Sequence, residues 1–352
     1  MLDLPTSQLI GVEASDKARS SHDDLVGKPT LFLERAMLSK TSTPYRRKWL
    51  LAAGWMAVVA VVVAFAWLAT DRYLKVRDAR LKQALENLGV GVLFSKEGLC
   101  IVVPDANDER LCDVATKAGR RAISLTATGR GVTDGGLHVI GRFPRLKQLS
   151  LVDTSVLGTG FAELASTHTV EELFLSRTDV SDTGLIQLSK VYSLRNLSLS
   201  RTRITDTGLA HLSSLHQLRR LDLSRTRVTG DGLRHLSALP HFEELKLSNC
   251  PVTDDGVRDV VTCKHLCWLD LSDTKLSGNG VRRIGALSDL VWLGLVGVHA
   301  NNDDFRYLVS RLPRLEHLAV DQKTHSALLK EGVLPPLRWR INEPAITEIP
   351  KR

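Results

Sequence analysis

Leu194-Arg195-Asn196-Leu197-Ser198-Leu199-Ser200-Arg201-Thr202-Arg203-Ile204-Thr205-Asp206-Thr207-Gly208-Leu209 is one unit of a pattern that recurs along this chain. Leu125, Leu149, Leu173, Leu197, Leu221, Leu245, Leu269 and Leu293 stand 24 residues apart, and Leu318 follows after 25. In L-x-L the alternate residues face one side of a short strand, so Leu197 and Leu199 point inward while Asn196 and Ser198 point out. A lone strand of this length buries nothing. Stacking the units in parallel pairs each strand with its neighbours and builds one continuous leucine core, with the return segment packed behind. Thr205 and Asp206 place a capping hydroxyl and an acid at the start of a short helix that carries Leu209, Leu212 and Leu215 inward. Strand on one side and helix on the other make a curved α/β solenoid.

These units, with the phrasing Thr-Asp-x-Gly-Leu, resemble leucine-rich repeats. They are similar to the 24-residue repeats of membrane-anchored and secreted proteins in planctomycete-type bacteria, and more distantly to ribonuclease-inhibitor-like and F-box-associated repeats. The resemblance covers residues 122–321. It implies a solenoid with parallel strands on the concave face and short helices on the convex face, and a role in recognition. It says little about the ligand, because one solenoid hosts many unrelated partners. No F-box-like segment precedes the array, so a ubiquitin-ligase role has no support. Many leucine-rich repeats have Asn where this chain has Thr154, Thr178, Thr202, Thr226, Cys250 and Thr274. Small hydrogen-bonding side chains suit that position, where the chain leaves the strand, so these residues are read as structural.

Ahead of the array, Trp49 to Thr70 is 22 consecutive residues without a charge, dense in Ala, Val and Leu. As a helix it would be about 30 Å long, which matches a hydrocarbon core. A cleaved signal peptide is the competing reading, since Ala64-Phe65-Ala66 has a small-x-small pattern. The segment begins far from the start and the apolar run continues past that point, which favours a retained single-pass anchor in contact with lipid. Arg46, Arg47 and Lys48 abut it, so the N-terminus is expected in the cytoplasm and the repeats outside. Residues 1–48 have no useful apolar period and read as a flexible cytoplasmic tail. Residues 71–121 read as a juxtamembrane helix plus a β-hairpin that covers the first edge of the array. Residues 122–323 form the array of about eight repeats, and residues 324–352 its closing cap.

A composition of 43% hydrophobic and 24% charged residues excludes a wholly disordered chain, a collagen-like fibre and a polytopic membrane protein. The formal charge is +8, and five Cys rule out a disulfide framework, although Cys100 and Cys112 could pair outside the cell. Function is expected on the open strand face and its rim. The column just before the first inward leucine contains Trp268 and Trp292, and the column between the leucines contains Phe174. An exposed indole pair marks a contact surface, unless the rings pack on each other and on the segment holding Trp339. After the strands, Arg177, Arg201, Arg203, Arg225 and Arg227 form a basic stripe able to meet an acidic protein, a polyanionic glycan or phosphate, or to be partly paired with Asp179, Glu172 and Asp222. Nucleic acid fits poorly, because no aromatic residues interleave the stripe. His211 and His235 recur at one repeat position with no carboxylate or thiol at ligand spacing, so neither a metal nor another cofactor is expected. Nothing resembles a nucleophile elbow or a glycine-rich phosphate loop, and the chain is not expected to be an enzyme. Two functions therefore stand: a membrane-anchored, non-catalytic module that recognises a protein or cell-envelope polymer, and an accessory scaffold subunit of a membrane complex.

Overall fold

A computed structural model describes residues 62–64, 70 and 72–332 of the chain. The expected tail, nearly all of the apolar segment 49–70, and the C-terminal residues from 333 onward, Trp339 included, lie outside the described residues. Among the described residues no helix is long and apolar enough to cross a membrane. The division between the chain's two units falls between Lys75 and Val76, and the repeat body belongs wholly to the second.

That body is an 11-stranded sheet whose spatial order follows the sequence, β1 to β11. β1 (Gly91–Phe94) and β2 (Leu99–Val103) form an antiparallel hairpin, and from β2 onward every pairing is parallel. β3 (Ala122–Ala127) opens the repeats. Then come β4 (Gln148–Ser150), β5 (Glu172–Phe174), β6 (Asn196–Ser198), β7 (Arg220–Asp222), β8 (Glu244–Lys246), β9 (Trp268–Asp270), β10 (Trp292–Gly294) and β11 (His317–Ala319). The leucine period sets the register, since Leu197 lies opposite Leu173 on one side and Leu221 on the other. A one-residue slip would turn every one of these leucines outward. Both leucines of each L-x-L are buried, and with the leucines of the return segments they make a single core.

The return segments differ from the expected run of α-helices. Asp206–Leu209 is a single α turn, and Ala210–Ser214 continues it as a 3-10 helix. Asp134–Arg142 and Leu233–Leu236 are 3-10 throughout. Leu209, Leu212 and Leu215 are three residues apart and all fully buried. A 3-10 helix stacks positions i and i+3 on one line, so that spacing suits the tighter coil. Longer α-helices appear at Asn302–Arg311, which carries a capping box built by Asn301 and Asp304, and at Gln322–Lys330, which buries Leu328 against the last coil.

Two side-chain columns run along the body, one closing each coil on itself and one joining successive coils. Thr154, Thr178, Thr202, Thr226 and Thr274 are buried, and each hydroxyl donates to the carbonyl three residues back, as Thr202 does to Leu199 at 2.5 Å. Cys250 instead reaches the Leu223 carbonyl of the preceding repeat at 3.0 Å. The second column is the Asp of Thr-Asp-x-Gly. Thr205 does cap its helix, accepting from the Thr207 amide, but the carboxylates reach into the next repeat. Asp206 accepts from the backbone amides of Thr229, Gly230 and Gly232 and from the Thr229 hydroxyl. Asp182 binds Thr205, and Asp254 binds Ser277, through amide and hydroxyl alike. The motif glycine makes room for this: a Cβ on Gly208 would collide with the Asp182 carboxylate. At two joints a left-handed glycine replaces the acid, Gly158 (φ 104) and Gly230 (φ 113), and the backbones close in its place. A Cβ on Gly230 would sit 2.6 Å from the Cα of Gly256.

Cys100 and Cys112 are free thiols. Cys100 alternates with buried Leu99 and Ile101 and so faces away from the core, whereas Cys112 lies on the helix Asp108–Ala118 packed against it. The sheet keeps them from pairing.

Candidate functional site

The parallel strands contribute outward residues to the open face of the sheet, and many of their side chains link along the columns. Ser124 donates to Gln148, Gln148 to Glu172 and Asn196 to Glu172, at 2.8 to 3.0 Å. Further on, Glu244 pairs with Arg220 at 3.4 Å and with Lys246 at 3.2 Å. Glu172 and Asp222, expected as partners of the rim arginines, are engaged here instead. Asp222 accepts from the Ser224 amide and the Ser198 hydroxyl, because both acids stand on strands rather than in the turns beyond them.

Trp268 and Trp292 lie opposite one another in register, and their rings stack at 3.9 Å between centroids with an interplanar angle of 7°. The expectation of an exposed pair therefore fails for one member. Trp268 is only 5% exposed, closed by Trp292 on one side and by the Lys246 ammonium 4.7 Å from its ring centroid. Parallel strands about 4.8 Å apart bring same-column rings nearly to stacking distance, which is the physical reason. Trp292 is half-buried and lies across the position of Gly294, where a Cβ would come within 2.7 Å of its ring. Phe174 is half-buried between Ser150 and Ser198.

The rim arginines are all exposed, in two rows. Arg177, Arg201 and Arg225 have left-handed backbones, with φ of 59°, 59° and 60°. In the other repeats the same position holds Asp153, Asn249, Asp273 and Gly297, also at positive φ. The turn aims the amide of this residue at the next repeat: Arg201 donates to the Ser224 carbonyl at 2.9 Å and Arg225 to that of Ser248 at 2.8 Å. Asn, Asp and Gly adopt such a turn at low cost, whereas an arginine backbone there is strained by roughly 1 kcal/mol or more. The signal was present in the sequence as a column at 24-residue spacing in which arginine fills three consecutive repeats and turn-forming residues fill those on either side. It becomes legible only once the turn geometry is known.

In side-chain pairing the rows are uneven. Arg177 binds Asp153 at 3.1 Å, while Arg203 and Arg130 share Asp179 at 3.0 Å each. Among the described residues Arg201, Arg225 and Arg227 form no side-chain hydrogen bond or ion pair. Unpaired guanidinium groups on adjacent coils offer planar donor forks to carboxylate, sulfate or phosphate oxygens.

Buried thiols belong to the core. Burial pushes Cys250 up from its ordinary value and Cys263 up to about 11, so both are protonated at neutral pH. Among the described residues no group of three or more His, Cys, Asp or Glu is placed to hold a metal ion.

The family model described as leucine rich repeat matches residues 192–252, the stretch that contains β6, β7 and β8. No curated protein matches the chain. Among solved structures, an internalin from Listeria monocytogenes is similar at 16% identity and a TM-score of 0.36, over 63% of this chain and 80% of its own. The register and the single core make the repeat body an α/β solenoid of stacked parallel coils, and its stretch 192–252 matches leucine rich repeats.

Proposed function

We propose that the chain is a membrane-anchored recognition module, held by the apolar segment 49–70 with its N-terminus in the cytoplasm. The repeat solenoid then meets an acidic surface of a partner protein or cell-envelope polymer outside. The contact is made by Arg201, Arg225 and Arg227, flanked by Arg177 and Arg203 on the rim and by Phe174 and Trp292 on the strand face. The observation that carries this reading is the left-handed arginine row. Three consecutive repeats put arginine where neighbouring repeats have Asp, Asn or Gly, and two of the three side chains have no partner among the described residues. Backbone strain kept at an exposed position, with the charged group left free, is the mark of a side chain held for an external contact.

Arg201→Gly separates stability from contact. It relieves the left-handed strain and is expected to stabilise the solenoid by about 0.5–1 kcal/mol, read as a raised Tm, while weakening partner capture. Arg201→Glu with Arg225→Glu should abolish the capture of a specific cross-linked species from envelope fractions and leave the melting curve nearly unchanged. Capture unaltered by the double reversal would sink the rim assignment. Protease digestion of intact cells tests the topology separately: the repeats should be accessible and the first 48 residues protected.

A further inference from the structure

The edge of the sheet opposite the arginine rim carries a cleft that the reading above does not use. It has a volume of about 760 Å³ and runs along the entry ends of six consecutive strands, from the Lys96–Glu97 turn before β2 to Gln217 before β7. Five strand spacings make it roughly 24 Å long, the span of about seven extended residues. Its charge is biased, with Lys96, Arg145, Lys147 and Arg195 against Glu97 and Glu171. Two of the cations are engaged: Arg145 donates to the Glu97 carbonyl at 3.0 Å and Arg195 pairs with Glu171 at 3.3 Å. Lys96 and Lys147 are exposed and, among the described residues, have no side-chain partner. One strand beyond Lys147 lies Thr169, whose hydroxyl is buried in the cleft wall without a hydrogen-bond partner among the described residues. It follows His168, which ends its helix in a left-handed turn (φ 51). A buried hydroxyl left unpaired costs stability and needs a reason.

We infer that this cleft is a docking groove for an extended acidic peptide segment of a partner protein. Its carboxylates meet Lys96 and Lys147, and one of its oxygens accepts the hydrogen bond that Thr169 has to donate. Length and charge fit such a segment. A saccharide fits less well, because no Trp, Tyr or Phe lines the cleft to offer a broad aromatic face for a sugar to lie on.

The test uses the full chain in detergent and a fluorophore-labelled heptapeptide of alternating Glu and Ser, with a Lys and Ser heptapeptide as the control, read by anisotropy. The acidic peptide should bind and the basic one should not. Lys96→Glu with Lys147→Glu should weaken binding at least roughly tenfold. Thr169→Val should weaken it several-fold without lowering Tm, since it removes a hydroxyl that bonds nothing in the free protein. Arg201→Glu with Arg225→Glu, on the far rim, should leave it unchanged. Binding that survives the lysine reversal, or falls equally with the rim reversal, would show only attraction to net charge and would overturn the groove. So would tighter binding of dextran sulfate that Thr169→Val abolishes, which would reassign the cleft to a polyanionic glycan.

Discussion

Leu197→Asp is expected to remove the cooperative thermal transition of the repeats around it. Leu197 is 2% exposed, with Leu173 and Leu221 directly beside it on the neighbouring strands. An aspartate there must either bury an unpaired carboxylate or expose the core of three coils. The cost is upwards of about 5 kcal/mol, comparable with the whole stability of many domains. Leu197→Ala, which leaves a cavity but no charge, should cost about 3 kcal/mol and preserve a single transition at lower temperature. Circular dichroism melts of the two variants check the core assignment. Because each coil touches only its neighbours, damage at β6 should spread outward by proximity rather than strike the two ends first. A normal melt for Leu197→Asp would mean that the leucine column does not form the core.

Asp206→Ala is expected to have the next largest effect, about 3 kcal/mol, although the residue lies near the surface. The substitution removes four hydrogen bonds at once and leaves the amides of Thr229, Gly230 and Gly232 without an acceptor. Burial alone would raise the Asp206 carboxyl, yet the bonds from Thr229, Gly232 and Gly230 together outweigh it and hold the group below 3.8. Its stabilisation is therefore complete above 3.8, the value in the unfolded chain, and fades as pH falls through the lower folded value. Asp206→Asn should be less stable than the wild type at neutral pH, and the gap should close as pH drops below 3.8. Chemical denaturation at pH 7, 4 and 2.5 measures it. A gap that stays constant down to pH 2.5 would refute the assignment of charge to this joint.

How far the chain was legible follows from how local each feature is. Leu197 and Leu199 alternate within one strand, and Leu209, Leu212 and Leu215 recur within one return segment, so the layers and the register could be read directly. Thr202 was legible as a structural residue because its acceptor, Leu199, is three residues away. The finer coil type was not, since a short return segment can wind as α or 3-10 and packing decides between them. Asp206 looked like a first-turn acid because its true partners stand 23 to 26 residues further on. The indole stack was foreseen only as an alternative to an exposed pair, and it needed strand spacing and a neighbouring Lys246 to settle it. The left-handed arginine row and the basic cleft are assembled from turns of several coils, and no one turn shows them.

Stability along the body is unevenly fastened. Carboxylates from Asp134, Asp182, Asp206 and Asp254 clasp the coil that follows, whereas Gly158 and Gly230 bring only backbone against backbone. Under tension applied between the two ends of the repeat body, these two glycine joints are expected to yield first. The body then extends in blocks set by where the clasps are missing, like a chain with two slack links, and the coils bearing the unpaired arginines ride together in the block between them.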